Sequence, residues 1–282
     1  YFISDYCWRA YRINRNICAI NFTIYLIMIF TQLIQTNLRT KELGKNIEYY
    51  NRLDSTNTEA WELVEEDKNH GTIVITENQT NGKGQKNKTW GMVPGKSLVF
   101  SLILTKNYPI DHSGLICLSV SLALIESLNK RGLDAQLKWP NDLLIDGKKI
   151  GGILCETKIE KNDIKNMVIG VGVNVNESIA EHDESIQKNL TTMFEVSKHP
   201  HQRELIVAEF INSFELMLNK LSTEPNQIIE EWLDKCMHLN EKILFLQNEK
   251  ILEGVFCGLD NNGFAKIEID NKVKSYNSIN LI

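Results

Sequence analysis

The sequence predicts an α+β protein in two parts, a larger region of mixed strands and helices and a small all-β region at the C-terminal end. Up to about residue 236, β-rich apolar runs alternate with segments whose apolar residues recur at helical spacing. From Asn240 onward the chain becomes several short β-rich runs separated by polar turns, which is typical of a small closed β-barrel. The 282 residues suffice for one large and one small domain, and we place the boundary near residue 238.

The elements of the larger region follow from apolar periodicity and from turn residues. Asp54 or Ser55 can cap the first helix, Gly132 stops the second, and Asp146-Gly147 is a hairpin signal. The predicted strands cover residues 47–53, 71–78, 96–104, 135–145, 149–159 and 166–176, and the predicted helices cover residues 55–65, 111–132, 201–221 and 224–236.

Four glycines interrupt the last two of these strands. They are Gly151, Gly152, Gly170 and Gly172. Glycine inside a strand weakens it unless something must approach the backbone closely. We therefore expect a ligand to lie over the sheet at this point.

Composition limits the classes of function. A net charge of -5 and a pI near 5.8 give no basic face for non-specific nucleic-acid binding, so an anion site must be local. The six cysteines form no C-x-x-C pair and have no histidine at metal-ligand spacing. We therefore predict a reducing, cytoplasmic compartment and no metal site by direct motif. His199 and His201 flank Pro200 but have no further ligand.

The N-terminal region is the one part that conflicts with a soluble protein. Residues 17–36 are mostly apolar and follow three arginines, but polar residues within the run make it marginal as a membrane helix. No small-residue cleavage site follows, as a signal sequence would require. We treat residues 1–40 as an uncertain extension, with residues 1–27 outside the working protein, and consider a membrane anchor the less favoured alternative.

A flexible basic loop follows the second strand, in "QTNGKGQKNKTW" (79–90). From Asn78 to Ile110 there are five lysines and no acidic residue. The loop matches neither a Walker motif nor G-x-G-x-x-G, because Asn87 stands where the third glycine would be; Asn87 could still adopt a left-handed turn. Backbone N–H groups and lysines can nevertheless hold an anion, so a phosphate site and a solvated turn are equally expected. The residues are Gly82, Lys83, Gly84, Lys86 and Lys88.

Three other stretches carry polar groups that invite two interpretations. In "KWPND" (138–142), Lys138 either covers the sheet with its stem or directs its ammonium at a ligand carboxylate or phosphate. "DSTN" (54–57) either starts a helix or binds a polar ligand head, and Gln79 could do likewise. In "GVGVNVN" (170–176), Asn174 and Asn176 share one face of a strand.

The order of these four stretches, together with "GKKIGGILCE" after "KWPNDLLID", resembles the biotin protein ligase family in its form without an N-terminal helix-turn-helix. The resemblance covers about residues 41–282. It implies a mixed β-sheet with helices on one face, like class II aminoacyl-tRNA synthetase catalytic domains, over residues 41–238. It also implies a small SH3-like β-barrel over residues 239–282.

The resemblance implies an ATP-dependent ligase that forms biotinyl-5′-AMP from biotin and ATP with Mg²⁺. The biotinyl group then passes to one lysine of the biotin carboxyl carrier protein of a biotin-dependent carboxylase. A homodimer is compatible with the family. DNA binding is not expected, because residues 1–46 contain no two-helix pattern. The alternatives are a lipoate ligase of related fold, which "KWPND" argues against, and a biotin-binding protein with weakened catalysis.

The resemblance also carries roles to individual positions. The implied catalytic residues are Lys138, Lys83 and Lys88. The implied biotin-binding residues are Ser55, Thr56, Asn57, Gln79, Lys83, Gly84, Gln85, Lys138, Gly151 and Gly152. The implied ATP- and phosphate-binding residues are Gly82, Lys83, Gly84, Lys86, Lys88, Trp90, Asn141 and Asn174.

The loop departs from the family pattern, which reads like G-R-G-R-x-G-R-x-W. Lysine stands at 83 and 88, Gln85 replaces a further arginine, and Asn87 replaces a glycine. Lysine keeps the charge but loses the bidentate fork of arginine, and glutamine loses the charge as well. We therefore predict that this loop holds the activated intermediate more loosely.

Overall fold

The computed structural model describes residues 28–65, 70–247 and 250–281. The expectations for residues 1–27 lie outside these residues. The helices are α1 (Thr31–Asn37), α2 (Thr56–Glu65), α3 (Ser113–Asn129), α4 (Glu184–Gln187), α5 (Met193–Ser197), α6 (Arg203–Lys220) and α7 (Pro225–Asp234). The strands are β1 (Ile47–Tyr50), β2 (Ile73–Thr76), β3 (Leu98–Leu104), β4 (Tyr108–Pro109), β5 (Gln136–Lys138), β6 (Asp142–Ile145), β7 (Lys148–Glu160), β8 (Asp163–Val173), β9 (Lys242–Gln247), β10 (Lys250–Leu259), β11 (Ala265–Ile269), β12 (Lys272–Tyr276) and β13 (Asn280–Leu281).

The larger sheet is mixed and has eight strands in the order β1-β2-β3-β8-β7-β6-β5, with β4 paired to β8. β1 and β2 are parallel, and the other neighbours are antiparallel. The predicted hairpin between β6 and β7 is confirmed, because Asp146 and Gly147 both have positive φ, as a tight two-residue turn requires. The single strand predicted over residues 135–145 is instead two strands, which fold back at the Trp139–Pro140 bond.

Helices cover both faces of this sheet. On one face, α3 and α6 pack against the main core, where the rings of Phe100 and Phe210 meet edge to face at 5.4 Å. On the other face, Ala60 and Leu63 of α2 pack with Val74 and Ile103. The alternation of side chains along a strand explains the split, since successive residues point to opposite faces. The prediction of helices on one face is therefore wrong for α2.

The C-terminal strands form a five-stranded antiparallel sheet in the order β12-β11-β10-β9-β13. Its inner face continues the core of the larger region, because Phe245 and Phe256 are fully buried within the same cluster. Trp139 Nε1 also donates to the Gly263 carbonyl oxygen at 3.4 Å. The short β-rich runs predicted from Asn240 onward therefore form a separate sheet, which packs directly on the larger one.

The segment before β1 is packed against α6. Ile34 is completely buried, the Phe30 amide donates to Glu204 Oε1 at 3.0 Å, and the Arg39 amide donates to Asn212 Oδ1 at 2.6 Å. The boundary predicted at residue 40 is therefore too late, because residues 28–40, assigned to an uncertain extension, belong to the folded unit.

One described helical stretch, Ile110–Asn129, is long and apolar enough to span a bilayer by composition. This segment contains α3, and most of its apolar window is buried inside the protein. A core helix of a soluble protein meets the same criterion.

Candidate active site

A deep cleft lies on the α2 face of the larger sheet, above β7 and β8. Its walls are the start of α2, the basic loop, the turn between β5 and β6, and β13. It encloses about 980 Å³ of space, part of which is open to solvent. The structure brings these predicted residues to the cleft: Ser55, Thr56, Asn57, Gln79, Lys83, Gly84, Gln85, Lys88, Trp90, Lys138, Asn141 and Gly152.

The inner end of the cleft is a buried polar cluster built on the first turn of α2. The Thr56 amide, the first N–H of the helix, donates to Gln79 Oε1 at 2.9 Å, which satisfies a group that a helix start leaves free. Asp54, a predicted cap, instead accepts from the Thr80 hydroxyl at 2.7 Å. Asn57 is 3% exposed and its Nδ2 donates to Glu156 Oε2 at 2.8 Å. The polar groups of this end are thus fixed by the protein itself.

The strand glycines make room for side chains of the protein. A Cβ on Gly170 would lie 2.1 Å from Asn57 Oδ1, and a Cβ on Gly172 would lie 2.4 Å from the Trp90 ring. Gly152 faces Trp90 and Lys149, at 3.0 and 3.2 Å from its ideal Cβ. The groups that approach the backbone at these three glycines are side chains of the protein, from Asn57, Trp90 and Lys149; a ligand over the sheet stays a prediction.

Trp90 lines the cleft with its ring against Gly172 and Gly152. Its Nε1 is buried and has no hydrogen-bond partner among the described residues. Lys149 Nζ is 5.5 Å from the ring centroid and forms an ion pair with Asp142 Oδ1 at 2.5 Å. The indole therefore offers a flat aromatic surface to the cleft, with a cation alongside, while its N–H is buried against Gly172.

The basic loop forms the outer rim. Gly84 N donates to the Lys88 carbonyl oxygen at 2.7 Å, and Trp90 N donates to the Gly82 carbonyl oxygen at 2.8 Å. Between these bonds a short 3₁₀ turn covers Gln85–Asn87. The left-handed backbone that the sequence allowed for Asn87 falls on Lys86, with φ at 52°. Lys83 and Lys88 are exposed at the mouth of the cleft.

Lys138 ends β5 and enters the cleft from the opposite wall. The chain folds back at once, because Lys138 pairs in register with Asp142 on β6. Lys138 is half-buried. Burial first, and then the positive charge of Lys138, lower the pKa of His238 to about 4. Four lysines line the described cleft, Lys83, Lys88, Lys138 and Lys149, against the single carboxylate of Asp142. The cleft therefore favours an anion.

Four predicted residues do not line the cleft. A Cβ on Gly151 would lie 3.8 Å from Leu124 in the opposite core, and Lys86 is exposed outside the cleft. Gly82 is buried beneath the Trp90 carbonyl oxygen. Asn174 Nδ2 donates to the Thr191 carbonyl oxygen at 3.0 Å. Lys86 therefore lies in solvent, and Gly82, Gly151 and Asn174 lie against protein backbone or core.

Sequence reasoning missed five polar residues. Thr89, Lys149 and Asp142 line the cleft, while Ser101 and Glu156 bond to the buried cluster beneath it. Ser101 did give a signal, because it is a polar residue within an otherwise apolar strand run, whereas Glu156 is followed by Thr157 and Lys158 and could not be told from the polar end of a strand. Lys149 followed a hairpin turn and could not be told from a surface lysine. Two apolar residues of the small sheet, Ile279 and Leu281, also line the cleft.

Comparison with known proteins shows what this arrangement is similar to. The model of the "Biotin/lipoate A/B protein ligase family" matches residues 49–174. The Bacillus subtilis bifunctional ligase/repressor BirA is 25% identical over 252 residues, which cover 88% of this chain and 77% of that protein. The Mycobacterium tuberculosis biotin–[acetyl-CoA-carboxylase] ligase is 21% identical, with 72% of this chain and 75% of that protein covered.

Solved structures agree with the sequence comparison. The structure of the biotin protein ligase from Aquifex aeolicus in complex with biotin and ATP superposes with a TM-score of 0.72. It is 25% identical, and the match covers 84% of this chain and 99% of that one. The matched family residues include the start of α2, the basic loop, Lys138 and the strand glycines. Over residues 49–174 the chain thus resembles the biotin/lipoate A/B protein ligase family, and the relatives and the solved structure named above are ligases of that kind.

Proposed function

We propose that the protein is an ATP-dependent biotin protein ligase, which makes biotinyl-5′-AMP and transfers the biotinyl group to a lysine of a biotin carboxyl carrier protein. The observation that carries this proposal is the joining, in one cleft, of a buried hydrogen-bonding end and a cluster of lysines. Biotin has a matching shape, with an uncharged ring urea at one end and a carboxylate at the other. The relationship to biotin protein ligases supports the same assignment.

The buried end would hold the ring urea. Ser55 and Thr56 are 3% and 4% exposed, and with Gln79 they line the inner wall. A site built from fixed hydrogen-bonding groups discriminates strongly against a ligand that leaves those groups unpaired. Biotin would therefore bind with its side chain pointing along β7 and β8 towards the lysines.

The lysines would carry the first reaction. The biotin carboxylate attacks the α-phosphorus of ATP, which forms the mixed anhydride and releases pyrophosphate, so two anions must come together. Lys138 would contact both the carboxylate and the α-phosphate, and Lys83 and Lys88 would stabilise the charge that develops on the phosphate oxygens. Trp90 offers its ring to the nucleotide.

The basic loop would shield the intermediate. A mixed anhydride hydrolyses readily, and ordering of a glycine-containing loop over it excludes water. Mg²⁺ would be held by the substrate phosphates and by Asp142, the carboxylate of the described lining, whose Oδ1 is also paired with Lys149; Mg²⁺ usually binds one or two carboxylates together with substrate phosphates. When bound, it would neutralise charge on the pyrophosphate side.

The small sheet would complete the enzyme as an SH3-like barrel over residues 239–282, after a catalytic region that ends at 238. The strand order β12-β11-β10-β9-β13 supports this. The strands β9 to β12 form an antiparallel meander, and β13, the last strand in the chain, returns to pair with β9. Through Ile279 and Leu281 this part would help close the cleft. We further propose a cytoplasmic location, consistent with the free thiols of Cys117, Cys155, Cys236 and Cys257; a homodimer stays a prediction.

The test is exchange of labelled pyrophosphate into ATP by the purified protein, with and without biotin. We expect exchange that depends on biotin and that an excess of lipoate does not support. Biotin binding without any exchange would contradict the ligase and favour a binding protein. Exchange that is supported by lipoate and not by biotin would identify the protein as a lipoate ligase.

A further inference from the structure

A chain of hydrogen bonds runs from the cleft to β7 beneath it. Glu156 Oε2 accepts from Asn57 Nδ2 at 2.8 Å and from Trp61 Nε1 at 3.2 Å. Ser101 Oγ lies 2.7 Å from Asn57 Oδ1 and 2.8 Å from Thr56 Oγ1. Thr56 lines the cleft at one end of this chain, whereas Glu156 lies at the other end, outside the lining.

The direction of each bond follows from the chemistry of the groups. A carboxylate oxygen can only accept, so Asn57 must face Glu156 with its NH₂ group and Ser101 with its carbonyl oxygen. That oxygen can also only accept, so the Ser101 hydroxyl must donate to it. A hydroxyl has one proton. The Thr56 hydroxyl must therefore donate to Ser101.

Donation by the Thr56 hydroxyl to Gln79 instead of Ser101 is unfavourable. The Thr56 hydroxyl also lies 3.3 Å from Gln79 Oε1, but that oxygen already accepts the Thr56 amide at 2.9 Å. If Thr56 turned its proton to Gln79, the oxygens of Thr56 and Ser101 would face each other at 2.8 Å without a shared hydrogen. Ser101 is completely buried, so an unmade hydrogen bond there would be costly.

We propose that Glu156 is a positioning residue that sets the polarity of this chain, so that Thr56 presents only lone pairs to the cleft. The cleft then selects a carboxylic-acid substrate that brings an N–H to Thr56, which a ring urea N–H supplies and a ring ether or lactone oxygen does not. This inference rests on the proposed function and deepens it, because it assigns substrate selectivity to residues that do not contact the substrate.

The test compares biotin with two analogues, each of which has one ring N–H replaced by oxygen. Calorimetry and biotin-dependent exchange are measured for the unaltered protein and for Glu156→Leu, Glu156→Gln and Ser101→Ala. For the unaltered protein, we expect one analogue to bind at least about 100-fold more weakly than biotin. In Glu156→Leu and Ser101→Ala, biotin affinity should fall roughly tenfold, and preference for biotin over that analogue should shrink by a similar factor.

Glu156→Gln is the matched control. Asn57 and Trp61 donate to the same carboxylate oxygen, so a glutamine oxygen in that place can accept both bonds and preserve the polarity. We expect its biotin affinity to remain within about threefold of the unaltered protein. The KM for ATP and the Tm of each variant show whether the fold is retained.

The outcomes separate this inference from the proposed function. If Glu156→Leu keeps the full preference for biotin, or if Glu156→Gln loses as much preference as Glu156→Leu, the inference is wrong while the ligase assignment stands. If the unaltered protein neither binds biotin nor catalyses exchange, both are wrong. If Ser101→Ala lowers the Tm, the comparison of Glu156→Leu with Glu156→Gln decides whether the inference holds.

Discussion

The two ends of the cleft are built in opposite ways. At the inner end, Thr56, Asn57 and Ser101 are nearly or completely buried, and their polar groups bond to one another. At the outer end, Lys83 and Lys88 are exposed on a loop held by a few backbone bonds. The first end is fixed before any ligand arrives, whereas the second can adjust to one.

This difference suggests a division of labour. A prearranged polar site gives specificity, because little has to be ordered when the ligand binds. An exposed loop of like charges repels itself and becomes ordered most readily around an anion. We therefore expect mutations at the inner end to change biotin affinity, and mutations in the loop to change the handling of ATP and of the intermediate.

Lys138 should show the largest effect, since it lies between the two ends. Replacing Lys138 with Met removes the ammonium that would contact both reacting anions, and exchange should fall about 10²–10³-fold. Lys158→Met, on the exposed outer part of β7, is the control and should leave the rate unchanged. Steady-state exchange rates measure both, and equal losses in the two variants would exclude a specific role for Lys138.

Gly170→Ala should disturb the inner end alone. The new methyl group would lie 2.1 Å from Asn57 Oδ1, so Asn57 must leave its place at a cost of about 1–3 kcal/mol. Biotin affinity should fall about 10- to 100-fold by calorimetry. Gly91→Ala is the matched control, because a methyl group there has open space around it. Unchanged biotin affinity in Gly170→Ala would show that the inner end is not prearranged as described.

The loop lysines should show smaller effects. Lys83→Ala and Lys88→Ala each remove an exposed charge, which is worth up to about 1 kcal/mol, so the kcat/KM for ATP should fall up to about fivefold. The effect should diminish at high salt. Lys86→Ala, in the same loop but outside the cleft, should leave the kcat/KM for ATP unchanged; a fall as large as that of Lys83→Ala would point to the charge of the whole loop.

Gln85→Arg should show the smallest effect. Gln85 lines the cleft, and arginine there would restore a cation that the family pattern carries. We expect a two- to fivefold decrease in free biotinyl-5′-AMP released per carrier modified, in line with one exposed charge pair. Equal release by both proteins would refute the hypothesis of looser retention.

The sequence predicted most of the local structure, because the apolar runs, the hairpin turn and the strand glycines carry strong local signals. Non-local features were beyond it. That α2 covers the second face depends on how β2, β3 and β8 align, and that Asn174 bonds to Thr191 outside the cleft lining depends on a loop that follows it in the chain. Ser101 and Glu156 were missed for the same reason, since their roles depend on a bond to Asn57 that only the fold creates.

The most direct test of the account is transfer of biotin to a carrier domain. The purified protein is incubated with biotin, ATP, Mg²⁺ and a biotin carboxyl carrier domain, and the carrier is examined by intact-mass and peptide mass spectrometry. We predict one biotinyl group on the target lysine, absent when ATP is omitted, when the carrier lysine is replaced by arginine, or when Lys138→Met is used. An unmodified carrier, in the presence of a protein that binds both biotin and ATP, would contradict the account.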